Sequence, residues 1–561
     1  MKKVILFLMT LVLIVTLTGC GTKPTATVSS EDLRRSSYSF NLKVDDKDIV
    51  TKGSVLVNFY KISKKEETLI TTKTLATFDE SVSVTGLESD TEYRCDCVCT
   101  YGKKSHIIYS WVITTKSAGT KYDPIIINTA EEFVNAINTD YSTDAYYELG
   151  ADIDFAEYKP TDDQGNEIAF EGLATTSAKA FSGYINGANH KIKNVTITSS
   201  TTYNGLFGYL KGTLENIDFE NISITATRDT SSTTYVGGVA GYSYQAKFID
   251  VDVDGVKLNV ECKTQYVGGV TGYAFASNLD YVDVENLEIT SKGSNTAYVG
   301  GLTSYLCQNS SSKYGKVIES TVSGKVNVSE TKVLYYGGLV GFLKAGATIN
   351  KAIANVDATL YTTGETCAAG LVGKANLSTA EDRNSINYVV AMGKITYKTY
   401  GKTAIAESSN PVIIGGLLGS ATAVKVTNAY IDMALNEECK MGKDGELYTG
   451  LVFGRGYEFH TELHNAVING SITAVTADSD AESKISIHGY DGSTYIDGLD
   501  EKPLSVIDSE NVDYISISIN IDGTESSYPE NTASAALAKA SFDTTVLDVE
   551  VDGSKLVVSF K

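Results

Sequence analysis

Residues Tyr235–Tyr242 read YVGGVAGY, and the phrase returns as YVGGVTGY at Tyr266, YVGGLTSY at Tyr298 and YYGGLVGF at Tyr335. Looser copies are NGLFGY at Asn204, AAGLVGK at Ala368, IGGLLGS at Ile414 and TGLVFGR at Thr449. The apolar residue after the glycines is Leu206, Val239, Val270, Leu302, Leu339, Leu371, Leu417 and Leu451, with steps of 33, 31, 32, 37, 32, 46 and 34 residues. One such unit cannot bury its own apolar face and must stack on its neighbours, so the period marks a solenoid or a related array.

Between the glycine phrases lie alternating stretches such as LENIDFENISI from Leu214, FIDVDVDGVKL from Phe248 and LDYVDVENLEI from Leu279. Alternation of apolar and polar residues indicates half-buried strands, and Gly or Asn marks the bends. Three short strands per unit make one wrap of a three-sided parallel β-helix; counted from Phe181, about nine wraps are expected. A β-propeller is the competing architecture, although its blades use four strands and a longer period. The glycine pairs are expected at corners where φ is positive or a Cβ has no room. Asn216, Asn350, Asn428 and Asn465 align as a ladder of amides that satisfies turn backbone.

The glycine phrase resembles the GLUG motif of bacterial surface proteins. YYELGADIDF at Tyr146 and FSGYINGANHKIKNVTI at Phe181 resemble the first coils of those proteins. The resemblance runs from about Ile125 to the C-terminus and implies a right-handed parallel β-helix. It names no activity, because a fold does not do so.

Near the start of the chain, Lys2 and Lys3 precede a 14-residue apolar run from Val4 to Leu17, too short for a confident membrane span. Leu17-Thr18-Gly19-Cys20 resembles the lipobox of bacterial lipoproteins. The resemblance implies a signal peptide over 1–19, lipidation of Cys20 and membrane attachment. Residues 20–37 read as a flexible tether. Strand-like stretches then fill 38–118, where GLESDTEYRCDCVC from Gly86 resembles a corner of the fibronectin type III domain, with Tyr93 in the tyrosine-corner place. An immunoglobulin-like β-sandwich is expected there. Cys95, Cys97 and Cys99 alternate, so they share one strand face; small buried hydrophobes and metal ligands are the two readings.

Thr129-Ala130-Glu131-Glu132 is a capping box for a short helix with Phe133 and Ile137 on one face. It would cover the first open edge of the solenoid, and 119–180 is accordingly the N-terminal cap. The repeat occupies 181–499, and 500–561, with a helix from Thr532, form a C-terminal cap. The formal charge of −22 argues against nucleic acid, which needs a basic surface.

Three features carry candidate chemistry. Tyr209, Tyr242, Tyr273, Tyr305 and Phe342 follow successive glycine phrases and stack as a column, with Tyr235, Tyr266, Tyr298 and Tyr335 as a second. Exposed columns stack on sugar rings, whereas interior ones are core. Asp218, Asp252 and Asp283 form one outward column, and Glu220, Asp254 and Glu285 another. Hard oxygen ligands suit Ca²⁺, so the readings are a Ca²⁺ site and a solvated acidic face; no cofactor is required. His460, Glu462 and His464 share a strand face with metal-like spacing, against a solvated turn.

The leading expectation is a surface-anchored adhesin or ligand-binding protein that meets a glycan or protein outside the cell. The alternative is a polysaccharide-active enzyme, a lyase or hydrolase. No nucleophile elbow or phosphate loop is present.

Overall fold

The computed structural model describes residues 24–33, 37–46, 49, 55–63, 66–101, 104–115, 119–140, 145–308, 315–344, 346–376, 384–399, 411–422, 424–439, 446–456, 461–476, 482–491, 511–528, 531–539, 546–553 and 555–561. The chain divides into two compact units, Met1–Ile125 and Ile126–Lys561. The signal segment and Cys20 lie outside the described residues, as does His460.

The first unit is a β-sandwich of two antiparallel sheets. Ala26–Leu33, Ser37–Val44 and Asp79–Thr85 form one; Glu66–Thr74, Val55–Ser63, Glu92–Tyr101 and Lys104–Thr114, in that spatial order, form the other. Part of the expected tether is therefore strand: Ala26 pairs with Val44 and Leu33 with Tyr38. Backbone pairing holds this edge, with few apolar side chains to betray it in the sequence. Cys95, Cys97 and Cys99 are fully buried beside Phe40, Phe59 and Trp111. Burial pushes the Cys97 thiol up to about 12, so the three behave as small hydrophobes. Tyr93 is buried, and its hydroxyl accepts from the Glu88 N–H at 2.7 Å.

The second unit is a parallel β-solenoid of about eight turns, one fewer than the repeat count suggested. One face is a nine-stranded parallel sheet running from Phe207–Leu210 to Tyr490–Asp491. Long bent strands such as Thr213–Gly237 and Lys247–Gly268 supply the remaining sides. They stay continuous because single left-handed residues turn the chain without breaking the ladder. Asn216, Asp250, Tyr281, Glu319, Lys351, Tyr388, Asn428 and Asn465 all have positive φ and occupy equivalent positions on successive wraps.

The expected asparagine ladder is corrected by this register. Asn350 lies one residue before the bend, opposite Asn387, and Lys351 holds the bend itself. Only the ends of the column carry amides: Asn465 Nδ2 donates to Asn428 Oδ1 at 3.2 Å, and Asn428 Nδ2 to Asn387 Oδ1 at 3.0 Å. The bend needs a left-handed backbone, which Asn adopts readily but does not monopolise.

At the glycine corner the constraint is space. The Gly269 N–H donates to Gly301 O at 3.0 Å, and a Cβ on Gly269 would overlap that same oxygen. On Gly268 a Cβ would overlap the carbonyl of Thr271, three residues on. The corner is thus folded inward, with the outer surfaces of its two arms facing each other.

The first edge is closed as the capping box implies. Helix Ala130–Asp140 starts with the Glu132 N–H on Thr129 Oγ1 at 3.2 Å and the Asn128 N–H on Glu132 Oε2 at 2.7 Å. Phe133 is buried and meets Phe155 at 6.2 Å and Phe207 at 6.0 Å between ring centroids. The C-terminal segment departs from expectation. Val512–Ile521 adds a rung beside Glu462–Thr476. Helix Ala533–Lys539 and the hairpin Leu547–Asp552/Lys555–Phe560 then pack along the flank, on Val390, Tyr430, Val467 and Ile515. The Leu556 N–H reaches Tyr430 Oη at 3.2 Å, and Lys555 Nζ reaches Asp432 Oδ2 at 2.9 Å.

Candidate functional site

The inward-folded corner positions the aromatic residues. Tyr235, Tyr266, Tyr298 and Tyr335 sit on one arm; Tyr209, Tyr242, Tyr273, Tyr305 and Phe342 sit on the other, each in register with its neighbours. Within the columns the rings stack: Tyr266 on Tyr298 at 4.3 Å, Tyr242 on Tyr273 at 4.9 Å and Tyr273 on Tyr305 at 4.5 Å. Between the columns they meet edge to face, as with Tyr235 and Tyr242 at 5.2 Å and 86°. Both arrangements are those the ring quadrupole favours.

This geometry corrects the expectation of sugar stacking on exposed rings. Each internal ring has both faces covered by its neighbours above and below. Tyr305 and Tyr335 are only 9% exposed. The columns lie outside the strand ladder yet pack like core, and their hydroxyls find partners there, as with Tyr335 Oη on Glu365 Oε1 at 3.0 Å. Burial raises the pKa of Tyr242, Tyr266 and Tyr273 above the free phenol. At the far end the aromatic rows give way to Cys367 and Lys374. The Lys374 ammonium covers Tyr335 at 4.9 Å and Phe342 at 5.9 Å, closing the strip with a cation–π contact.

The six carboxylates lie together on a different face. Asp218, Asp252 and Asp283 are in register, as are Glu220, Asp254 and Glu285, while Phe219, Val253 and Val284 point inward. With Lys191 they line a shallow depression of about 250 Å³. Most have partners: Lys191 Nζ lies 3.3 Å from Glu220 Oε2 and 4.0 Å from Asp218 Oδ2. Asn286 Nδ2 donates to Asp254 Oδ1 at 2.7 Å, and Thr321 Oγ1 to Asp283 Oδ1 at 2.7 Å. Asp252, between Asp218 and Asp283, is pushed up to about 6, first by lost hydration and then by those like charges. Among the described residues no group of three or more His, Cys, Asp or Glu side chains is arranged to hold a metal ion.

The same outward column changes character along the solenoid. Beyond Asp283 it continues through Thr321, Ile353, Val390, Tyr430 and Val467, the last three under the C-terminal helix and hairpin. Of the histidine constellation, His464 Nε2 is 3.3 Å from Glu462 Oε2, a half-buried surface pair.

Two interior polar groups escaped the sequence reading. Glu437 is buried, accepts from Thr449 Oγ1 at 2.8 Å, and is pushed up to about 8 by desolvation. Gln265 is wholly buried at the corner between Cys262 and the glycine phrase. Lone polar residues inside an alternating strand carry no periodic signal, so only the register reveals which way they face.

No protein-family profile matches the chain. Over 126 residues, 22% of its length, it is 31% identical to Halomucin of Haloquadratum walsbyi. That stretch is 1% of Halomucin, so the chain spans a very small part of the relative it matches.

Proposed function

We propose that the chain is an exported binding protein of the adhesin class, lipid-anchored through Cys20, with ligand contact along the tyrosine strip of the solenoid. The supporting observation is the double column itself. It repeats phenol groups at a regular spacing along the solenoid, with neighbouring rings of each column 4.3–5.2 Å apart. A regular row of donor–acceptor groups matches a ligand with repeated hydroxyls, such as a glycan, by hydrogen bonding. The GLUG-type reading of the corner phrase belongs to this proposal. So does the fibronectin type III-like reading of the sandwich, supported by the three- and four-stranded sheets and the Tyr93 hydroxyl on Glu88 N–H.

Binding of the mature chain to host and plant glycans tests the reading. Tyr242→Phe/Tyr273→Phe/Tyr305→Phe keeps the stacking and removes three hydroxyls, so binding should weaken by about tenfold or more with folding intact. Unchanged binding removes the strip from the proposal; no binding to any glycan removes its ligand class. Cys20→Ala should abolish membrane partitioning, and full retention would exclude the lipid anchor.

A polysaccharide-active enzyme is the second reading, favoured by Asp252 alone. A carboxyl pushed up to about 6, first by lost hydration and then by nearby carboxylates, is in the range that a general acid uses. Glycan cleavage that disappears in Asp252→Asn would support it, whereas binding without cleavage rejects it.

A further inference from the structure

After the short strand Ile153–Asp154 the chain leaves the first wrap as a lobe, FAEYKPTDDQGNEIAF from Phe155 to Phe170, with its aromatic residues near the two ends. Its tip is closed by local chemistry: Asp162 Oδ1 accepts the N–H of Gln164 and of Asn166, each at 2.9 Å, and Gly165 takes a positive φ. The Ile168 N–H on Pro160 O, at 2.9 Å, joins the two arms. Both ends are tied to one stretch of the next wrap. The Phe155 N–H donates to Lys193 O at 3.0 Å, and the Thr198 N–H donates to Phe170 O at 3.1 Å. Asn194 and Thr196 lie between those two ties.

A cavity of about 620 Å³ is lined by the ends of the lobe, by Asn194 and Thr196, and by Asn221 of the following wrap. That size falls within the range of small-ligand sites, roughly 300–1,000 Å³. Tyr158 and Phe170 are half-buried, line the cavity, and meet edge to face at 5.6 Å. Both pack on buried Phe155, which Phe133 of the capping helix supports from behind. Unlike the rings of the tyrosine strip, these two belong to no stacked column. The amides are oriented: Asn194 Nδ2 is held by Asp154 Oδ1 at 2.9 Å, and Asn221 Nδ2 reaches Asn194 Oδ1 at 3.4 Å. The charged residues of the lining, Lys159 and Glu167, pair with each other at 3.3 Å and cancel.

We propose that this cavity binds a neutral pyranose unit of a glycan. The apolar C–H face of the sugar packs on Tyr158 and Phe170, and its hydroxyls bond to the Asn194 and Asn221 amides and the Thr196 hydroxyl, groups that both donate and accept. A charged ligand would find no uncompensated counter-charge in the lining. A wholly apolar one would strip water from the amides without replacing their hydrogen bonds, which is unfavourable. A molecule with one apolar face and a rim of hydroxyls satisfies both walls at once. Because the lobe is tied at its tip and at both ends, the site is formed before the ligand arrives and little ordering is required on binding. This site is separate from the tyrosine strip and does not depend on it.

Calorimetric titration of the full mature chain with cellotetraose, mannotetraose, galactotetraose and N-acetylchitotetraose tests the proposal, and at least one should bind. Tyr158→Ala should weaken that binding by about tenfold or more, whereas Tyr158→Phe keeps the ring and should stay within about threefold of wild type. Asn221→Gly removes an amide without straining the bend. Asn221 has φ 56°, and Gly255, which stands opposite it on the next wrap, has φ 73°. This variant should melt like wild type and bind about two- to tenfold more weakly. Tyr242→Phe/Tyr273→Phe/Tyr305→Phe should bind these four sugars as wild type does. Failure of all four to bind overturns the proposal. So does wild-type affinity in Asn221→Gly together with Tyr158→Ala, and so does loss confined to the strip variant, which would assign the sugar to the strip.

Discussion

Tyr266 and Tyr273 lie in one wrap, on opposite arms of the glycine corner, and their rings meet at 5.3 Å. Two outward-facing side chains can touch across a corner only if the corner folds inward. Gly268 and Gly269 permit this, since a Cβ on the first would overlap Thr271 O and on the second Gly301 O. The aromatic strip and the glycine phrase are therefore one device repeated at each wrap.

The corner makes a direct stability prediction. Gly269→Val places a branched side chain against Gly301 O, which also accepts the Gly269 N–H, and Gly301→Val places one against Gly338 O. A loss of about 3 kcal/mol or more is expected, read as a lower thermal midpoint. Variants that melt with the wild type would show that the corner has slack the structure does not display.

The aromatic columns behave as core. Tyr242→Ala/Tyr273→Ala/Tyr305→Ala removes three stacked rings and should cost several kcal/mol, on the order of 2–3 for each half-buried ring. The phenylalanine triple variant should stay within about 1 kcal/mol of wild type. Circular dichroism melts separate the two, and equal melting would place the rings in solvent.

Glu437 sets a pH dependence. Its folded-state pKa is raised from 4.5 to about 8, so the native chain holds a proton that the unfolded chain releases. The penalty is absent below pH 4.5, grows as pH rises through that window and is constant above about 8. Glu437→Gln removes the ionisation. It should match wild type in acid and exceed it above pH 8, by an amount of order 3–5 kcal/mol at most. Parallel stability curves would show Glu437 ionised in the folded chain.

Asp252 gives a smaller effect with the same sign. Its carboxyl is raised from 3.8 to about 6, so the cost of its lost hydration, and then repulsion from Asp218 and Asp283, develops as pH rises through that range. Asp252→Asn should raise the melting point by about 1–3 °C at neutral pH and leave it unchanged in strong acid. Millimolar Ca²⁺ stabilising the wild type but not the variant would mark a cation site. An equal response of both leaves a solvated acidic face.

Residue pattern is enough to give the repeat, its strand content and the inward or outward sense of residues along unbroken alternating stretches. Phe219, Val253 and Val284 are buried and the intervening carboxylates face out, as alternation requires. It also determined the capping box at Thr129–Glu132, because helix capping is local chemistry. Three features follow from the stacking of the wraps and from nothing local. The fold of the glycine corner set the aromatic columns against each other, since alternation does not say whether a bend opens or closes. The return of Leu547–Phe560 placed an apolar cover over Val390, Tyr430 and Val467, in the register column that begins as Asp218. The bend at Lys263–Thr264 put Cys262 and Gln265 on the same inner side, where strict alternation would have put them on opposite faces. Each of these depends on where one backbone atom sits relative to the next wrap, a separation that strand pairing fixes only once the wraps have stacked.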